Sequence, residues 1–196
     1  MKVFRRIGDQ PCCFRSALSL YGYAAGMGAS VVDREREDVR FDEVGSRYAE
    51  ALAALFERNR DSAITRTFDP FQLTSSQARR IATEARRDLY YSATQGEHLL
   101  ALSMLRGFDE GYEIPSFGIF VDRERKERGL GRRLSEWTIE QARLRGCEAV
   151  RLTVYADNPT ARGLFASLGF REMEREIVDR AGEPVEKLIM RLDLDG

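Results

Sequence analysis

Apolar residues recur along this chain at two alternating periods. Val39, Phe41 and Val44 predict a first strand. Ser46 then reads as the N-cap of a helix to Asn59, with Tyr48, Leu52 and Leu55 on one face. A second helix follows Ser75 and runs to Arg87, with Ala78, Ile81, Ala82 and Ala85 inward. Residues 88–93 and 99–108 predict a hairpin turning at Gln95–Gly96. The near-continuous apolar run 114–121 has the pattern of a strand buried on both faces. A helix over 132–146 stops at Gly146, where a C-cap glycine is expected. Leu130, just before it, shares helical spacing with Leu134, Trp137, Thr138 and Ala142, which makes Trp137 a core residue. A β-branched strand over 149–155 and a helix over 158–168 come next. Strands 170–178 and 185–194 then flank the turn Arg180-Ala181-Gly182-Glu183-Pro184.

The order is β-α-α-β-β-β-α-β-α-β-β. Residues 114–155 form one β-α-β unit, whose parallel strands require a crossover, right-handed by rule. At 196 residues the chain is one domain, assigned to 34–196. Residues 1–33, with the glycine-rich GYAAGMGAS at 22–30, read as a flexible arm or an extension upstream of a start at Met27. No h-region or membrane-length apolar run occurs there.

Charge and rare residues narrow the chemistry. Thirty-one basic residues balance thirty-two acidic ones, which gives no general pull toward nucleic acid or an anionic membrane. Of the basic residues, only Lys2, Lys126 and Lys187 are lysine, a composition bias without functional content. The one histidine, His98, excludes a multi-histidine metal site and reads as a surface residue. Cys12, Cys13 and Cys147 form neither a disulfide framework nor a zinc pattern, so no metal is expected and a reducing, cytoplasmic setting is. Cys147 reads as a small buried hydrophobe.

The most informative stretch is Lys126-Glu127-Arg128-Gly129-Leu130-Gly131-Arg132-Arg133-Leu134. It follows a strand and opens a helix, whose first N–H groups and dipole suit an anion. Glycine lets that anion approach the backbone, so the stretch reads as a diphosphate cradle, with Arg128, Arg132 and Arg133 adding charge. It lacks the Gly-Lys-Ser/Thr of a Walker loop, and Leu134 replaces the third glycine of a dinucleotide fingerprint.

The segment resembles motif A of the GNAT family of N-acetyltransferases, Gln/Arg-x-x-Gly-x-Gly/Ala, with Lys126 in the first place and Gly129 and Gly131 matching. Asn158-Pro159-Thr160-Ala161-Arg162-Gly163-Leu164-Phe165, continuing to Gly169-Phe170, resembles motif B of the same family. The resemblance spans 39–194. It implies an α/β (α+β type) GNAT acyl-CoA N-acyltransferase fold: a central mixed, mostly antiparallel sheet with one β-α-β crossover and flanking helices.

Acetyl-CoA is then the implied co-substrate, held in a gap between strands 114–121 and 149–155. Ile119, Phe120 and Val121 would pair with the pantetheine arm. Amides of Glu127, Arg128, Gly129, Leu130, Gly131 and Arg132 would hold the diphosphate, and Asn158 the pantetheine end. A backbone N–H of strand 114–121 would serve as an oxyanion hole. Helices 46–59 and 75–87 would wall the acceptor site, and the hairpin 170–194 could support a homodimer.

An amine acceptor must lose a proton. With a pKa near 10.4, fewer than about one lysine-like amine in a thousand is neutral at pH 7. Glu113 is the first candidate base and Glu110 the second, since both precede the central strand. Phe165 stands where the family often carries a tyrosine acid. A thiolate leaves with little help, and Tyr155, Tyr112 or water are the candidate replacements. Leu152-Thr153-Val154 lacks the glutamate of the Leu-Glu-Val pattern in ribosomal-protein alanine acetyltransferases of this fold, which argues against that assignment. The expected activity is direct acetyl transfer to a primary amine of a small molecule, amino sugar or peptide. The alternatives are another acyl group, a hydroxyl acceptor, or a silent acyl-CoA-binding module.

Overall fold

The computed structural model describes residues 39–60, 67–68, 70–125 and 129–194. The proposed arm at 1–33 and the loop residues Lys126, Glu127 and Arg128 lie outside them. The elements are β1 (Val39–Glu43), α1 (Ala49–Asn59), α2 (Ser75–Glu84), β2 (Leu89–Gln95), β3 (His98–Arg106), β4 (Ser116–Val121), α3 (Leu130–Leu144), β5 (Ala149–Tyr155), α4 (Pro159–Ser167), β6 (Arg171–Arg180) and β7 (Glu183–Asp193). One seven-stranded sheet runs β1-β2-β3-β4-β5-β7-β6. Only β4 and β5 are parallel; the other neighbours are antiparallel.

Each helix covers a sheet face because its apolar stripe requires it. Leu52, Leu55 and Phe56 of α1 and Ile81 of α2 pack with Leu102, Met104 and Phe120 on one face. Ile139 of α3 and Phe165 of α4 pack with Leu105, Phe117, Val150 and Leu152 on the other. Thr138, inside α3, donates to the carbonyl of Leu134 at 2.7 Å and accepts from Ser103 of β3 at 2.6 Å. That buried pair satisfies two hydroxyls and pins α3 to the sheet.

Some local expectations shift. Ser46 opens a 3-10 turn to Tyr48 and caps no helix; α1 starts at Ala49. Thr74 is the N-cap of α2, its hydroxyl accepting from the Gln77 N–H. That helix ends at Glu84 rather than Arg87, which leaves Ala85 exposed. The hairpin turn is Gly96-Glu97, because Gln95 pairs with His98. Tyr91 and Phe41 hold the Trp137 ring at 5.0 and 5.9 Å, so Trp137 packs half-buried against the core. His98 is exposed, and Cys147 is half-buried.

The run 114–121 is not buried on both faces. Only Phe117 and Phe120 of β4 are, while Gly118, Ile119 and Val121 remain partly open. Their apolar character serves a cleft rather than a sheet interior.

One buried polar atom stands out among the described residues. The Tyr91 hydroxyl has no hydrogen-bond partner. Burial pushes its phenol well above the ordinary value, and pushes the Tyr90 phenol up to about 12. Both phenols resist ionising in the fold while the unfolded chain ionises near pH 10. Stability held below that pH is therefore lost as pH climbs past it. Tyr91→Phe should raise stability by about 1 kcal/mol at neutral pH, because an orphaned hydroxyl disappears. It should also shallow the alkaline decline; urea titrations at pH 7 and pH 11 measure both.

Candidate active site

The site begins where the sheet stops being a sheet. β4 and β5 share one register pair, Ser116 with Arg151, and the Arg151 N–H donates to Pro115 O at 3.0 Å. Beyond that point the two strands diverge, and no further pairs join them. Each strand is fully laddered on its other side, β4 to β3 and β5 to β7. The facing backbone groups need partners, and pairing between β4 and β5 does not supply them beyond the bridge. The opening is a cleft of about 1010 Å³, lined along its length by Ser116–Val121 and by Arg151–Tyr155.

At one end the cleft meets the start of α3. Gly129, the N-cap, takes φ +70 and offers no side-chain cap, and Gly129, Leu130 and Gly131 at the helix start line the opening. A Cβ at Gly131 would meet Val121 Cγ2 at 3.6 Å and Leu164 Cδ2 at 3.8 Å, ordinary contact distances, so the protein itself has room for a methyl group. Arg125 and Arg132 line this end, and Arg132 is steadied by Glu136 and the Ser167 hydroxyl. Arg133 does not join them: its guanidinium lies 5.5 Å over the Phe41 ring, on the β1 side of α3. The residues present fit a diphosphate group at a helix start.

The middle of the cleft is apolar. Phe165 is buried edge-on to Phe117 at 6.0 Å and beside Phe170 at 5.8 Å. Asn158 caps α4, its side-chain oxygen accepting from the Ala161 N–H at 3.1 Å. With that oxygen engaged, the Asn158 amide nitrogen is the group that can reach along the cleft. Tyr155, buried and at the cleft wall, has Lys187 Nζ 4.7 Å and the Arg180 guanidinium 4.8 Å from its ring centre.

The far end carries the acid candidates. The turn after β3 is tight: Gly111 (φ +83) donates to Phe108 O and Tyr112 to Gly107 O. Asp88 holds it from below, accepting from the amides of Gly107 at 2.8 Å and Asp109 at 3.2 Å. This reversal separates the two glutamates. Both are exposed; Glu110 lines the cleft, whereas Glu113 lies outside its lining. Asp157 also lines it, but its hydrogen bond to Arg180 at 2.6 Å holds the carboxyl below its ordinary range and engaged.

Sequence reasoning missed several walls. Thr67, Phe68 and Pro70, from the connection between α1 and α2, line the cleft in place of the helices themselves. The signal was the aromatic and proline density there: Phe68 contacts Phe71 and Phe120, each at 5.4 Å. Arg106, Arg151 and Lys187 were also unmarked by any motif. Among the described residues, no group of acids, histidines and cysteines gathers as a metal site, and no helix is long and apolar enough to cross a membrane.

Residues 50–170 match the Acetyltransferase (GNAT) family, and the chain belongs to it. It is similar to the [ribosomal protein bS18]-alanine N-acetyltransferase of Salmonella typhimurium, 37% identical over 84 residues, 42% of this chain and 57% of that protein. The enzyme of the same name from Escherichia coli K12 is 33% identical over 91 residues, 46% of this chain and 60% of that protein. The matched segment thus spans less than two thirds of either relative. Among solved structures, yncA from Salmonella typhimurium with its cofactor acetyl-CoA shares the fold at TM-score 0.66 and 18% identity, over 81% of this chain and 95% of that one. A GCN5-related N-acetyltransferase from Kribbella flavida does so at TM-score 0.67 and 20% identity, over 81% and 99%.

The spare room at Gly131 gives a clean test. Gly131→Ala should leave the melting temperature unchanged or raise it, since alanine favours a helix by up to about 1 kcal/mol over glycine. Coenzyme A affinity measured by calorimetry should nevertheless fall, because the methyl group occupies the approach to the helix start.

Proposed function

We propose that this protein is an acetyl-CoA-dependent N-acetyltransferase that transfers acetyl directly to a primary amine. The observation that carries the reading is the parallel pair joined at one bridge and opening onto a helix whose N-cap, Gly129, offers no side chain. Such a gap offers ladder groups to a pantetheine arm and helix amides to a diphosphate at once. β4 then aligns the thioester, with a backbone N–H toward its oxygen.

Glu110 takes the proton of the incoming amine, directly or through water, in preference to Glu113. Tyr155 is the hydroxyl placed to meet the departing thiolate, since Phe165 has no proton to give. The acceptor is an amine of a small molecule, amino sugar or peptide. A protein N-terminal amine gains support from the names of the two curated relatives. Against it, Thr153 replaces the glutamate expected of that class, and it sits exposed on the cleft wall. A cytoplasmic setting fits an odd number of cysteines, two of them adjacent and none in a C-x-x-C.

An amine panel reading release of free thiol from acetyl-CoA tests the activity; no release with any amine or N-terminal peptide refutes it. Glu110→Gln should lower kcat/KM by about 10²-fold or more. Glu113→Gln should leave it close to wild type, and Tyr155→Phe should reduce kcat more than KM.

A further inference from the structure

The segment leaving β4 is tied down by groups that the reaction does not use. Asp122, the residue after β4, is 3% exposed, and Asn59 at the end of α1 is fully buried. Arg58 Nε donates to one Asp122 carboxylate oxygen at 2.6 Å, while the other accepts from Asn59 Nδ2 at 3.3 Å. Arg58 also donates to the Leu99 carbonyl. Asn59 is itself fixed, Nδ2 donating to Leu55 O at 2.9 Å.

The result is a turn in which four successive backbone N–H groups have partners. Asp122 donates to Leu100 O at 2.9 Å, and Arg123 to Asn59 Oδ1 at 3.1 Å. Glu124 donates to Asp122 Oδ1 at 3.3 Å, and Arg125 to Asp122 O at 2.9 Å. Two of these four acceptors are the Asn59 and Asp122 side chains. Arg125, at the end of the turn, lines the diphosphate end of the cleft.

A buried carboxylate carries a large desolvation cost, offset only when it is paired and hydrogen-bonded, as here. A packed apolar residue would fill the same place without that cost, but it could not accept the Glu124 amide. We propose that Asp122, held by Arg58 and Asn59, is a positioning residue that presets the turn and Arg125 for the coenzyme's diphosphate. The proposal rests on the acetyltransferase reading above. It adds that α1, at the sheet's other flank, sets coenzyme affinity through a junction that touches no substrate.

Comparing acetyl-CoA with S-acetylpantetheine, the same thioester without the diphosphate and the adenosine 3'-phosphate it carries, tests this. The ratio of their kcat/KM values is the advantage conferred by the diphosphate-linked nucleotide. In Asp122→Asn and Asn59→Ala that advantage should fall by about tenfold or more, while turnover of S-acetylpantetheine stays within about twofold of wild type. Arg79→Ala, which breaks an exposed pair with Glu50 on α1, should leave the ratio unchanged. If the buried variants do not fold, as judged by circular dichroism, Arg58→Lys carries the test, because its side chain is 31% exposed and keeps the charge.

Equal losses with both thioesters would reduce Asp122 to a structural residue and overturn the proposal, as would an unchanged ratio. A wild-type protein active with acetyl-CoA separates those results from failure of the acetyltransferase reading. A wild type inactive with both thioesters would overturn both.

Discussion

Everything distinctive about this protein follows from a pair of strands that begin to pair and then stop. A sheet of this size normally satisfies its interior backbone groups by continuous laddering. Here β4 and β5 are held at Ser116 and Arg151 and then part. The antiparallel blocks on either side, β1-β2-β3-β4 and β5-β7-β6, are each fully stitched. The cost of the opening is thus confined to two strand edges, where a ligand with amide groups can offset it. α1 and α2 lean on the first block, while α4 packs Phe165 against residues of both, Phe117 of β4 among them. α3 spans the two, with the Ser103–Thr138 contact fixing it to the first.

The sequence disclosed this fold because the elements most exposed to local rules were also the ones that define it. The β-branched run 149–155 is β5 without a shift, and Gly146 and Gly169 end α3 and α4 at positive φ. The turn at Ala181-Gly182, both at positive φ, closes the last hairpin as its residues suggest. Errors arose where tertiary contacts override local preference. Ser46 has the chemistry of a cap, but Gly45 and a 3-10 turn come first. Residues 114–121 look like an interior strand because apolar composition cannot distinguish a buried face from one awaiting a ligand.

The site was legible in the same uneven way. Motif spacing located Gly129, Gly131, Asn158 and Phe165, since short-range geometry fixes a helix start and a cap. It could not show that Glu110 lines the cleft and Glu113 does not, because the Gly111 turn between them depends on Asp88, more than twenty residues upstream. Nor could it find the Arg58–Asn59–Asp122 junction, whose partners come from distant parts of the chain. Spatial convergence of this kind leaves no periodic trace.

The outer strand has a quieter consequence. β6 forms the rim of the sheet and is exposed along most of its length, with Met173 and Ile177 open to water. What guards this free rim is charge: Arg171, Glu172, Glu174, Arg175, Glu176, Asp179 and Arg180 crowd ten residues, and a bulge between Glu172 and Glu174 breaks the register. Charge is a guard that dissolved ions can blind, whereas the buried cores of the two blocks are indifferent to them. In concentrated salt the first property to yield is therefore colloidal: molecules adhere rim to rim while each remains folded.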